Sequence, residues 1–345
     1  MRFADNRNKI VKYIPAVVFL IFIYGMALWF IFSPKPDYSS SEKRYLQKFP
    51  EVTAEKLLAG DFGSEFETFF ADSFPQRNTW VGLNAYTALA VGNNGASGVY
   101  NCKNGYLINK PVSIENNLDK NIGAVADFAK SINTPTTVML VPSTGYIVDD
   151  VLPTFHDKYN DDEDISKISS TLSKDKIGFV DLRERFKSEY KNGSQLYYKT
   201  DHHWTTKGAY TGYQELCKAL GITPIDDSTL KKDSYPDFYG TTYSSSGFWL
   251  TPPDNIEIWN NPKNSDRNIS VKITEGANIK TSGSMYFTDH LKEDDKYPVF
   301  IDGNHALTEI TNTNAKNGTI LLIKDSFSPV SYTHLRAHET PEHLV

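Results

Sequence analysis

Cysteine is almost missing from this chain: 345 residues hold only Cys102 and Cys217, with no C-x-x-C spacing. That argues against a thiolate metal site and leaves room for one disulfide at most. Long basic runs are also lacking beyond the first residues, and the formal net charge is −6, which argues against nucleic acid as a partner. Neither an HExxH nor an HxH spacing occurs before residue 331, and no internal repeat is evident. Aromatic residues, by contrast, are plentiful at 13%, with 20 Tyr and 20 Phe, so a real core is feasible.

The N-terminus holds the clearest segment. Residues 1–13 carry Arg2, Arg7, Lys9 and Lys12 against Asp5, and 14–32 (IPAVVFLIFIYGMALWFIF) then run without a charge. A helix of that length spans about 28 Å, close to a hydrocarbon core of about 30 Å. The stretch after it has no small-residue A-x-A cleavage pattern, so an uncleaved anchor is expected in place of a removed signal peptide. The basic cluster precedes the span, which places residues 1–13 in the cytoplasm and the main domain outside.

At the other end, SYTHLRAHET (331–340) breaks the preceding pattern and reads as translated sequencing-adapter DNA, into which Val330 also fits. The natural sequence is expected to end near Ser328, with 329–345 as read-through. His334, His338 and His343 are therefore excluded as ligands.

Residues 33–95 read as a lead-in of two or three short helices, interrupted by Pro50, Gly60 and Pro75. The stretch 98–108 reads as a hairpin about a KNG turn. An amphipathic helix follows, then strands at TPTTVMLVPS, IGFVDL (177–182) and LYYKT (196–200), and a helix over 205–220 capped by Thr205 or Thr206. Residues 251–290 read as a β-rich insertion. YPVFIDGNH and GTILLIKDSFS read as two strand-then-turn units. Alternating strands and helices predict an α/β domain over 96–328, with a mostly parallel sheet flanked by helices.

The chemistry-bearing stretch is YYKTDHHWTTKGAYTGY (197–213). On a helix Asp201 and His203 would point apart, whereas on an extended segment i and i+2 share a side. Asp201 could then hold His203 through Nδ1 and leave Nε2 as a general base. An acid capping the next helix beside exposed histidines explains the motif equally well. A nucleophile is available in LLIKDSFS, where Ser326 follows a short apolar strand over 319–323 at an expected strand-to-helix turn. Ser143 in LVPSTGY is its rival.

TDHHWTTKGAY, FYGTTYSSSGFW and LLIKDSFS, in this order and with the helical lead-in before them, resemble the DHHW family. That family is an SGNH-hydrolase-like branch similar to exported alginate O-acetylation proteins. The resemblance implies that Ser326 is a nucleophile served by His203 and Asp201. It leaves no required role for His202, and it offers Gly303 and Asn304 as oxyanion donors. It implies a membrane-anchored, extracytoplasmic O-acyltransferase or esterase acting on a bacterial surface glycan. No cofactor or metal is expected, and a polytopic membrane O-acyltransferase is implied as partner. Tyr239, Tyr243 and Trp249, with Phe248 nearby, would suit stacking on sugars, although core packing explains such residues as well. Two other classes remain: a catalytically inactive glycan-binding scaffold, and a metal-dependent hydrolase using His202, His203, Asp289 and His290.

Overall fold

The computed structural model describes residues 2–112, 115–132, 134–261, 268–313 and 318–330. The residues after 330, including His334, His338 and His343, lie outside the described ones. The chain divides into two compact units, Met1–Asn84 and Ala85–Val345.

The first unit opens with α1 (Arg2–Phe32), within which Lys12–Phe32 is long and apolar enough to cross a membrane. A two-residue hairpin, β1 (Tyr38–Ser39) and β2 (Arg44–Tyr45), follows. Then come α2 (Ala54–Ala59), capped by the Thr53 hydroxyl, and α3 (Asp61–Asp72). Gly60 sits between them at φ +85°, a left-handed conformation that ends one helix and starts the next. Asp72 is buried and takes a bidentate pair from Arg44, together with the Gln47 N–H, so the end of α3 is tied to the hairpin. The helix α4 (Arg77–Ala90) starts in this unit and crosses its boundary.

The second unit begins with β3 (Gly95–Ala96), β4 (Val99–Asn101) and β5 (Leu107–Asn109), an antiparallel set built on the expected KNG turn. Next is α5 (Glu115–Ser131), which buries Leu118, Ile122, Ala126 and Ala129, one helical stripe. Following it are β6 (Thr137–Leu140), α6 (Thr144–Ile147), α7 (Asp161–Lys174), β7 (Gly178–Asp181) and α8 (Arg183–Lys191). Helix α9 (Thr206–Leu220) is capped by the Thr205 hydroxyl, which accepts from the Gly208 N–H at 3.1 Å. Then come β8 (Lys231–Phe238), α10 (Thr241–Ser246), β9 (Asp254–Asn260), β10 (Ile269–Glu275), β11 (Asn278–Ser282) and β12 (Leu307–Asn312).

Among the described residues β6–β7 is the one parallel pair; β8–β9 and β11-β10-β12 are antiparallel. Among the described residues the expected parallel sheet is therefore realised at a single βαβ crossover, while β9, β10 and β11 of the expected β-rich insertion form antiparallel ladders that also recruit β8 and β12 from outside 251–290. LYYKT forms no strand: Tyr197 makes an isolated bridge to Trp204, and Lys199 accepts the Leu107 N–H of β5 at 2.7 Å. No strand is assigned over 321–325, where Leu321 and Ile323 stay exposed. Ile320 and Leu322 turn inward and pack on the core cluster that holds Val271 and Ile310, so the alternation sorts inside from outside without forming a ladder over 321–325. Both cysteines are buried thiols, and burial pushes Cys102 up to about 12.

Candidate active site

The Tyr197–Trp204 bridge closes a tight loop that carries Thr200, Asp201, His202 and His203. Leu196 accepts from the Thr205 N–H at 2.8 Å and His203 accepts from the Tyr198 N–H at 3.2 Å, so both stems of the loop are fixed. Buried Asp254, at the start of β9, holds the loop from beneath. Its carboxylate accepts from the Thr200 N–H and hydroxyl at 2.8 and 2.7 Å, from the Lys199 N–H at 3.1 Å and from Gln195 at 3.1 Å. Burial raises the Asp254 carboxyl above its ordinary value despite these donors. Nothing in the sequence around Asp254 announced this role.

Asp201 and His203 meet as the i, i+2 argument requires, but through a turn and not an extended strand. The Asp201 Oδ1 accepts the backbone N–H of His203 at 2.8 Å, an Asx-turn, and also faces His203 Nδ1 at 2.5 Å. Its Oδ2 accepts the Thr241 N–H at 2.7 Å. Burial alone would push this carboxyl up. The hydrogen bond from His203, with the neighbouring imidazoles and the Thr241 N–H, overcomes that and holds it below the ordinary carboxylate range. An ionised carboxylate only accepts, so Nδ1 carries the imidazole proton and Nε2 is left to accept. Nε2 lies 2.8 Å from the Ser326 hydroxyl, 123 positions away in sequence.

Glycines make this closeness possible. A Cβ on Gly240 would stand 2.1 Å from the Asp201 Cβ and 2.3 Å from Oδ2. A Cβ on Gly208 would meet the Leu196 carbonyl at 2.2 Å, and one on Gly212 would meet the Trp204 ring at 2.9 Å. The glycines of TTKGAYTGY are thus the notch into which Trp204 sinks. From there its indole N–H donates to the Phe327 carbonyl at 2.7 Å and braces the turn that bears Ser326.

Ser326 is partly exposed, while His203 and Asp201 are buried beneath it. Tyr297, unmarked by the sequence reading, stacks on His203 with centroids 4.4 Å apart. The His202 Nδ1 faces the Thr241 hydroxyl at 2.7 Å, and burial beside His203 lowers its pKa. The rival Ser143 heads α6, and its N–H donates to Asp161 at 2.6 Å.

Gly303 has φ +96°, and its N–H is turned to the Phe300 carbonyl. The Asn304 side chain meets the Lys324 ammonium at 2.6 Å. Lysine only donates, so the amide oxygen faces it and the NH2 end points elsewhere. Tyr239, Tyr243 and Trp249 form a partly exposed cluster, with ring centroids 4.3 and 5.2 Å apart. Tyr243 shares α10 with Thr241, whose N–H reaches Asp201.

Ligand atoms of Asp201, His202 and His203 lie within 4.8 Å of one another, a spacing that a metal would accept. Each has a hydrogen-bond partner, however. The other members of the metal alternative are apart from this group: His290 bonds Glu293 and Asp302, and Asp289 bonds Lys292.

Residues 108–236 match the family model described as SGNH hydrolase-like domain, acetyltransferase AlgX. This is an SGNH hydrolase-like α/β domain. The matched stretch includes Asp201 and His203 and stops before Ser326. In fold the chain is similar to a DHHW family protein from Eubacterium siraeum, with a TM-score of 0.57 at 18% identity over 72% of this chain and 82% of that one. It is likewise similar to Bacillus cereus PatB1 solved with a sulfonyl adduct, with a TM-score of 0.56 at 18% identity over 72% and 84%. No curated protein matches the chain in sequence. The resemblance read from the motif thus agrees with the family model and with the fold.

Proposed function

We propose that this protein is a serine O-acyltransferase or esterase that acts on a glycan outside the membrane. The observation that carries the reading is the line of hydrogen bonds from Ser326 Oγ through His203 to Asp201. As Ser326 Oγ attacks an acyl carbonyl, its proton passes to His203 Nε2, and Asp201 stabilises the imidazolium. The leaving oxygen then takes that proton, and the acyl group stays on Ser326. A sugar hydroxyl or water, deprotonated by His203, attacks the ester and releases the serine.

Asn304, held at its oxygen by Lys324, retains N–H donors for an oxyanion; the Gly303 amide, bonded to Phe300, does not serve. Tyr239, Tyr243 and Trp249 form a surface on which a sugar ring stacks beside the acid–base pair. A sulfonyl adduct is what an activated nucleophile forms, so a fold neighbour captured with one supports the covalent step. The acetyltransferase description of the family model supports acetyl as the group. Residues 14–32 anchor the chain with its first residues in the cytoplasm, and a polytopic membrane protein supplies the acyl group from within.

The test is labelling of the full chain by a serine-reactive fluorophosphonate, with p-nitrophenyl acetate turnover alongside. Ser326→Ala and His203→Ala should lose both signals while Ser143→Ala keeps them. A folded parent that neither labels nor turns over would instead be a glycan-binding scaffold. Turnover that needs a metal, without labelling, would revive the metal reading.

A further inference from the structure

A run of aromatic rings leaves the end of the apolar helix and stays on the surface of the first unit. Phe30, in the last turn of α1, lies 4.8 Å from Phe70 and 6.2 Å from Phe69, both on α3. Phe70 meets Phe74 at 5.6 Å, and Phe74 meets Trp80 at 6.5 Å. Phe69 is buried, yet Phe66, Phe70 and Trp80 are 40%, 43% and 42% exposed. A unit facing only water would cover such a run or replace it with polar residues.

Two features fix the depth of these rings. Phe30 is two residues from the end of the apolar segment, about 3 Å along the axis. Lys35 folds back to donate to the Phe30 carbonyl at 2.7 Å, and its ammonium sits 4.5 Å from the Phe30 ring centroid. A lysine that covers the helix end in this way marks the level of lipid headgroups, where Trp and other aromatic rings are favoured. Phe70, against the same ring, shares that level. The ion pairs of Asp72 with Arg44 hold α3 to the hairpin without lipid, so the face is preformed.

We infer that α3 and the start of α4 are seated on a lipid surface, with Phe66, Phe70 and Trp80 in the headgroup–acyl boundary where the anchor ends. This rests on the reading of 14–32 as an anchor. The occupant is lipid because the face is continuous with a segment whose own surroundings are lipid.

The experiment places an environment-sensitive fluorophore on single cysteines of the full chain, the native thiols being buried. The sites are Leu20→Cys in the span, Phe70→Cys on the face and Lys191→Cys on α8. The chain is reconstituted in nanodiscs of phosphatidylcholine and phosphatidylglycerol carrying brominated acyl chains. Blue-shifted emission and quenching are expected at 20 by deeply brominated lipid, at 70 by lipid brominated near the carbonyl, and not at 191. Quenching at 20 with position 70 behaving like 191 would overturn the seat and leave the anchor standing. No quenching at 20 would overturn both. A blue shift at 70 without lipid quenching would assign the face to protein, a second copy or an integral partner, and overturn the lipid surface.

Discussion

The ring of Tyr297 lies against the imidazole of His203 at 15° between planes, and its hydroxyl donates to the Ser326 carbonyl at 3.2 Å. One buried side chain therefore touches both the proposed base and the backbone of the proposed nucleophile. Burial raises its phenol well above the ordinary value, so it remains a donor across the working pH range.

Tyr297→Phe keeps the stack and removes the tether. The loss of one neutral hydrogen bond, about 0.5–1.5 kcal/mol, corresponds to roughly a 2- to 10-fold slower turnover. Tyr297→Leu removes both contacts and should be slower still, with an altered pH–rate profile because the imidazole loses its face partner. Identical profiles and rates for the two variants would reduce Tyr297 to core filling.

Gly240→Ala drives a methyl into the Asp201 carboxylate. The expected cost is about 1–3 kcal/mol of stability, with loss of fluorophosphonate labelling as Asp201 leaves His203. Gly63→Ala is the control: it lies within α3, where a Cβ meets nothing within 4 Å, and should raise the melting temperature slightly or leave it unchanged. Thermal melts and labelling of both variants decide the matter.

Asp254→Ala strands the donors of Thr200 and Lys199 under the loop. Unsatisfied buried donors of this kind cost about 3 kcal/mol. Urea denaturation should show that loss, and turnover should fall in protein that is still folded.

His290 gives a pH dependence of stability. Partial burial lowers its pKa, but the hydrogen bonds to Glu293 and Asp302 outweigh that and raise it. A base whose folded pKa is raised contributes stability fully below its unfolded value, about 6.5, and loses it as pH rises through the folded value. His290→Gln should therefore cost more at about pH 5 than at about pH 9. Equal costs in denaturation at both pH values would contradict the pairing.

The candidate-site residues are legible where the chemistry is written in one residue and its near neighbours. Asp201 and His203 are two apart, and Ser326 stands out as a serine after an apolar run. Asp254 and Tyr297 were not legible, because each acts on residues tens of positions away and carries no local signal. Gly240 stood in a quoted motif, yet its reason is a contact 39 positions distant (240 − 201). Strand direction escaped for a similar cause: period-two alternation says which residues face inward, but not which neighbour pairs or in which sense. That is why LYYKT, read as a strand, is instead one stem of a bridged loop.

The contacts His203–Ser326 and Trp204–Phe327 both join residues 123 positions apart. Two consecutive positions on one loop therefore grip two consecutive positions on another, like teeth of a key. Sliding either segment by one residue would offer Phe327 or Asp325 to the histidine and misplace the indole at once. A one-residue deletion in 321–325, where no ladder is at stake, should leave a folded protein whose lock no longer turns.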